Sequence, residues 1–420
     1  MPDPHQFLRR LFETATAAAD PRRRLPPFLP EAPRHGRLIV LGAGKGAGAM
    51  AAAAEAHYGA RASGLVITRD GYRLPTSRIA VVEAAHPVPD QRGVEAARRI
   101  LALAAQAQAD DLVLCLLSGG ASALMCLPAE GVSFADKQAI NIALLNSGAA
   151  IDEMNCVRKH LSAIKGGRLA QACAPARVVS LVISDVVGDD LSVIASGPTV
   201  PDPTTAGQAL AILKKYGIPV SPDVLAHFNS PKAETPKVLS SPVENIIVAR
   251  PRDAFEAIIR AVAAHGLGCV DLGDRLEGDA ARLAATHAQV ARAIVSGAHA
   301  VKPPCVVLSG GEAVVRVTGA GTGGPNTQLA LELALALNGL PGVYALACDS
   351  DGTDGNGQHA GALVAPDTLT RAAHLGLNPA RALADNDTAP FFQALGDLVA
   401  TGPTFTNVND VRAILILPPQ

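Results

Sequence analysis

The chain of 420 residues is too long for a single small module and, at roughly 100–200 residues per domain, predicts two or three domains. Hydrophobic residues at 49% supply large cores, and charged residues at only 18% argue against long disordered segments. Lys and Arg total 36 against 38 Asp and Glu, aromatics are 3% and Trp is absent; this excludes a global positive field or a stacking platform for nucleic acid, so any bound anion needs a local site.

In chain order, Met1 to Ala19 carries Asp3, Arg9, Arg10 and Glu13 without an apolar core, which predicts an amphipathic helix rather than a secretory signal. Short β-branched runs follow at Arg37–Leu41, Gly64–Thr68, Ile79–Glu83, Leu112–Leu117 and Val178–Ile183. Helical patterns lie between them at Arg92–Ala107, Asp136–Ser147 and Ile151–Ala163. This βαβα order predicts a mostly parallel sheet covered on both faces. Five prolines between Pro219 and Val243 mark a boundary region, which divides the chain into domains over 1–235 and 236–420. A fresh alternation begins with strands at Asn245–Ala249, Cys269–Leu272, Cys305–Leu308 and Val314–Val317, and continues at Val343–Ala347, Gly361–Val364 and Ala413–Leu417. Helical patterns at Asp253–Ala264, Gly278–Val295 and Asn326–Leu337 complete a second α/β domain. No apolar run approaches the ~18–20 residues of a membrane span. The seven cysteines form no C-x-x-C pair and read as buried free thiols in a reducing cytoplasm.

The chemistry concentrates at the ends of predicted strands. The first strand runs into Gly42-Ala-Gly44-Lys45-Gly-Ala47-Gly48 and an Ala-rich helix, an arrangement that aims backbone N–H groups and a positive helix end at an anion. Gly42-x-Gly44-x-x-Ala47 satisfies the loose dinucleotide fingerprint, with Asp70 placed to take a ribose hydroxyl or Arg69 a 2′-phosphate. Lys45 argues instead for phosphoryl transfer, which needs a fixed cation at the phosphates; no P-loop is present. Ser118-Gly119-Gly120 and Ser309-Gly310-Gly311 each follow a strand, where open α/β sheets bind ligands. Neither lies in a Gly-x-Ser-x-Gly elbow. The next strand ends in Ser184-Asp185-Val-Val-Gly-Asp189-Asp190, carboxylates suited to magnesium or to accepting the proton of an attacking hydroxyl, with capping as the alternative. The acidic loop Asp349–Gly355 has Ala360 where a calcium-binding loop needs Glu, so it is no EF-hand. Arg158, Lys159 and Lys165 suit either helix-dipole compensation or an anion clamp. His86 is a lone loop histidine.

These motifs in this order resemble the class II glycerate kinases, the glycerate 2-kinase family with a C-terminal MOFRL domain. The similarity runs from Gly42-Ala-Gly-Lys45 through Glu83-Ala-Ala-His86-Pro-Val-Pro-Asp90, Ser118-Gly-Gly, Asn155-Cys-Val-Arg158-Lys-His and Ser184-Asp185. It ends with Ser309-Gly-Gly-Glu312, Ser350-Asp351-Gly-Thr-Asp354 and Thr401-Gly-Pro-Thr-Phe-Thr-Asn407-Val-Asn-Asp410. The resemblance implies two α/β domains with mostly parallel sheets facing each other across a cleft, the larger N-terminal one Rossmann-like and the C-terminal one of MOFRL type. It implies transfer of the ATP γ-phosphate to the 2-hydroxyl of D-glycerate, giving 2-phosphoglycerate, with Mg2+. On that footing Lys45 and Asp185 are the catalytic pair and Asp189 holds magnesium. Gly44, Ser118, Gly119, Gly120 and Arg158 bind substrate or phosphate, and Glu312, Asp351, Asn407 and Asp410 contribute from the second domain. The loop Gly321-Thr-Gly-Gly324-Pro-Asn326 lacks the Arg usual there, leaving Arg316 as the nearby replacement. The implied partners are glycerate and ATP, with no nucleic acid and no membrane; a homodimer is compatible with the sequence, which does not fix the assembly. Two other functions fit the residues: an NAD(P)H-dependent hydroxypyruvate reductase, and a non-catalytic phospho-metabolite-binding protein.

Overall fold

The computed structural model describes residues 3–186 and 188–418. Two compact units divide them: residues 21–249 form one, and residues up to 20 join those from 250 onward in the other. Among the described residues no helix is long and apolar enough to cross a membrane.

The 21–249 unit is built on six parallel strands, β1 (Leu38–Ala43), β2 (Ala62–Arg69), β3 (Ile79–Ala84), β4 (Leu112–Leu117), β5 (Arg177–Ile183) and β6 (Val243–Ala249), ordered β3-β2-β1-β4-β5-β6. Every residue of β1 and β4 is buried, as their continuous apolar runs require of strands covered on both faces. The strand order reverses direction between β1 and β4, and the crevice beyond the carboxyl ends of those two strands is where open parallel sheets bind ligands. The helix Gln91–Ala104 covers one face with Val94, Ala97 and Ile100, its first turn capped by the Asp90 carboxylate, which accepts the Gly93 N–H.

The other unit contains β7 (Gly268–Asp271), β8 (Gly278–Asp279), β9 (Cys305–Gly311), β10 (Ala313–Val314), β11 (Val343–Asp349), β12 (Gly361–Val364), β13 (Leu398–Val399) and β14 (Asp410–Ile416). Six of these form a sheet ordered β13-β12-β11-β14-β9-β7, while β8 and β10 make a separate short ladder. Only β7 and β9 pair in parallel within the large sheet; β12–β13, β11–β12, β11–β14 and β14–β9 are antiparallel. Of the mostly parallel sheets expected, the first unit's is wholly parallel and the second unit's is mixed. The reason is the connections: the helix Ala280–Val295 separates β7 from β9 and allows a parallel crossover, whereas only loops join β11 to β12 and β13 to β14.

Two boundaries also differ from the sequence expectation of 1–235 and 236–420. Val243–Ala249 is the edge strand of the first sheet, paired with β5, so the proline-rich segment is internal to that unit. The helix Pro4–Ala18 buries Phe7, Leu8, Leu11, Phe12 and Ala15 against the helix Pro251–Ala264 and strands β11 and β14. It belongs with the C-terminal residues, because its apolar stripe is covered there.

Candidate active site

At the switch point the two strand-end loops grip each other. The Lys45 N–H donates to the Gly119 carbonyl at 2.8 Å, the Gly46 N–H to Ser118 Oγ at 2.9 Å, and the Ser118 N–H to the Ala43 carbonyl at 3.1 Å. The Gly44 N–H donates to the Ile67 carbonyl and the Ala47 N–H to the Gly44 carbonyl. Four consecutive amides of the glycine loop are thus used inside the protein. These bonds make Gly44 and Ser118 part of the scaffold that positions the loop carrying the Lys45 side chain. Gly44 has φ of +137°, and a Cβ there would lie 2.1 Å from Ser118 Oγ, so only glycine lets β1 and β4 end this close together.

Gly120 brings three groups to one place. A Cβ on it would sit 2.9 Å from His86 Nε2 and 3.2 Å from Lys45 Cγ. Burial, reinforced by the Lys45 and Arg69 charges, pushes the His86 imidazole down to about 3, so the ring is neutral at physiological pH. The loop histidine that looked isolated in sequence stands beside the lysine. Asp185 is half-buried at the carboxyl end of β5, on the sheet edge that carries Lys45 and Gly120, and Asp189 is half-buried in the same loop. Asp190 accepts the Ser192 N–H at 2.8 Å and closes a turn. Val187 of this motif lies outside the described residues.

A cavity of about 370 Å³ is lined by His86, Gly120, Ser122, Lys137, Arg158 and Lys165, among others. Lys137 and Lys165 are buried at 2% and 1% exposure. Lys165 Nζ donates to the Ser122 carbonyl at 2.9 Å, to Ser122 Oγ at 3.0 Å and to the Ala195 carbonyl at 3.2 Å. Lys137 Nζ donates to the Leu161 carbonyl at 2.9 Å. Burial, with Lys137 and Arg158 adding to it, lowers Lys165 to about 7; burial likewise lowers Lys137 to about 8. Lys159 takes a different role: it pairs with Asp202 at 2.9 Å, both buried. Burial pushes the Asp202 carboxyl up, but hydrogen bonds from Lys159 and Thr204 outweigh it and hold the group below its usual value. Lys137 escaped the sequence reading, although the signal was present: it shares the buried face of the helix Phe134–Asn146 with Ile140 and Leu144, a lysine at i on an apolar i, i+3, i+7 stripe.

The dinucleotide reading loses its second support at Asp70. Both carboxylate oxygens of Asp70 accept from Arg92, at 2.7 and 2.8 Å, and that contact leads the causes holding the carboxyl below its usual range.

In the other unit, Ser309-Gly310-Gly311 is part of β9 rather than a ligand-binding turn. His287 Nδ1 donates to the Leu283 carbonyl, so Nε2 accepts from the Ser309 hydroxyl. A Cβ on Gly310 would strike Phe255 at 2.5 Å. Asp351 Oδ1 accepts the Thr353 N–H and Asn407 Oδ1 the Asn409 N–H, both local turns. Glu312 is exposed after β9. Asp410 receives Asn326 Nδ2 at 2.7 Å, the Ala313 N–H at 2.8 Å and Arg412 Nη2 at 2.7 Å. Arg412 is 2% exposed. It is the cation that the structure ties, through Asp410 and Asn326, to the loop lacking its usual Arg; Arg316 is exposed. Asp354 accepts the Asn326 and Thr327 N–H groups and anchors the start of the helix Pro325–Leu337. Among the described residues no three or more His, Cys, Asp and Glu side chains gather as metal ligands.

A profile of the domain of unknown function DUF4147 matches residues 7–229, and one of the MOFRL family matches residues 305–410. An Agrobacterium vitis protein provisionally named a hydroxypyruvate reductase is 49% identical, over 98% of this chain and 94% of its own. A D-glycerate 2-kinase of Thermotoga maritima is 40% identical, over 91% of each chain. A crystal structure of the glycerate kinase from the same organism superposes with a TM-score of 0.87 at 38% identity, covering 98% of this chain and 99% of that one.

Proposed function

Because the chain belongs to the glycerate 2-kinase family with a C-terminal MOFRL domain, we propose that it transfers the γ-phosphate of ATP to the 2-hydroxyl of D-glycerate, giving ADP and 2-phosphoglycerate. The observation that carries the reading is Lys45: it stands at the switch point beside His86 and Gly120 on a loop whose amides are already bonded. Such a loop offers a fixed charge to a phosphoryl group, while the amides of residues 44–47 are taken up within the protein. The bonded amides of residues 44–47 and the Arg92-bound Asp70 weigh against the nicotinamide alternative, the activity whose name the Agrobacterium vitis relative carries.

In this reading Lys45 draws charge from the oxygens of the transferring group as they pass through the transition state. The glycerate 2-hydroxyl oxygen bonds to the γ-phosphorus as the bond to the ADP oxygen breaks, and the hydroxyl proton passes to the Asp185 carboxylate. Neutral His86 orients by hydrogen bonding and adds no charge to compete with Lys45. Asp189 offers a hard oxygen donor of the kind magnesium takes beside the substrate's own phosphates, and the ion when bound would neutralise phosphate charge.

An ADP-release assay with D-glycerate, ATP and magnesium tests this. Wild type turns over and Lys45→Ala loses at least about 100-fold in kcat, with NMR identifying 2-phosphoglycerate as product. Equal rates for the two proteins, or oxidation of NADH with hydroxypyruvate and no ADP release, would sink the proposal.

A further inference from the structure

We propose that Lys137, Lys165 and Arg158 form the subsite that holds the carboxylate of the acceptor and so set its preference for an acid. The identity of the acid rests on the kinase reading above, whereas the need for a negative charge does not.

Three observations converge. All three cations line one cavity, and among the described residues its wall contains no Asp or Glu. None of them pairs with a carboxylate among the described residues: the lysines bond carbonyls and the Ser122 hydroxyl, and Arg158 Nε reaches Asn141 Oδ1 at 3.4 Å. The protein supplies a partner where a lysine is purely structural, as Asp202 does for the buried Lys159. Burying two ammonium groups beside a guanidinium without a counter-ion is costly, and a ligand carboxylate removes that cost.

The cavity also orders the ligand. His86 and Gly120, which stand against Lys45, line the same cavity. An acid with its carboxylate on the three cations therefore directs its hydroxyl toward the lysine that handles phosphate. Val88, Ile142 and Leu145 line the same cavity and give the carbon skeleton an apolar wall. Phosphate is a competing oxyanion of the same sign, and the arms of the experiment separate the two.

Kinetics and nucleotide-free binding are measured on the full chain for wild type, Lys137→Met, Lys165→Met and Arg158→Gln. Lys137→Met and Arg158→Gln each delete a charge-assisted hydrogen bond to the carboxylate, Lys165→Met removes the charge behind them, and each raises KM for D-glycerate by roughly 10- to 100-fold, while KM for ATP moves less than about threefold. Glycerol and glyceramide, which lack the carboxylate, are poor substrates for wild type, and their KM is insensitive to the same variants. Calorimetric titration with D-glycerate alone shows the same weakening. An unchanged KM for D-glycerate in the folded variants overturns the proposal, as does a rise confined to ATP or to competition by inorganic phosphate. If the buried lysine variants do not fold, the half-buried Arg158→Gln decides by the same two KM values. If no acid is phosphorylated, titration still separates the two ideas: variant-sensitive D-glycerate binding preserves the subsite without the kinase, and no carboxylate binding by wild type ends it.

Discussion

Arg158 and Lys159 are adjacent in sequence and opposite in role, because successive helix positions differ by about 100°. One turns to the cavity and the other to Asp202. Lys165, in the loop after that helix, reaches the same cavity and is buried there. Its depressed value of about 7, against 10.5 for a free lysine, has a consequence for stability. Between those values the unfolded chain binds the proton that the folded chain has lost, so this group makes stability rise with pH from about 7 to about 10 and withdraws that contribution as pH falls through 7. The increment is at most about 1.4 kcal/mol per pH unit. Urea midpoints for wild type and Lys165→Met, compared at pH 7 and pH 9, should show the larger rise in wild type; parallel pH dependences would show that Lys165 does not titrate in this window.

At the level of elements, the site is made by the close approach of two strand ends. Gly44 meets Ser118 where any side chain would collide with its hydroxyl and carbonyl. Gly44→Ala should therefore part the loops, break the Gly46 to Ser118 hydrogen bond and cost roughly 2 kcal/mol or more of stability. Turnover should fall further than stability alone accounts for, because Lys45 rides on that loop. A variant with wild-type urea midpoint and wild-type kcat would contradict this geometry. The strands and most long helices were legible in sequence, since burial on both faces writes itself as the unbroken apolar runs of β1 and β4. The role of the second Ser-Gly-Gly was not legible: as letters it equals the first, and only the neighbours Phe255 and His287 show that it lies inside a strand.

For the molecule as a whole, unit boundaries follow the pairing of distant strands. A fragment of residues 21–249 keeps β6 against β5 and should unfold cooperatively in urea. A fragment ending at 235 loses that strand, with the Asn245 hydrogen bond to Thr199, and exposes the edge of β5. It also carries the helix Pro4–Ala18 with its apolar face uncovered. The second fragment should aggregate or melt without a cooperative transition; equal behaviour of the two would argue against the boundary at 249. The succession of strands and helices, and the placement of Lys45 and Asp185 at strand ends, could be read from the amino acids alone. Both are local: hydrophobic periodicity marks each element, and parallel strands put every such end on one edge of the sheet. It took the folded chain to show that the glycine loop spends its amides internally, that Lys137 and Lys165 share a cavity with Arg158, and that the first helix belongs with the last strands. Those facts depend on which way a helix face turns and on which distant strand it meets, and neither is written in the neighbouring residues.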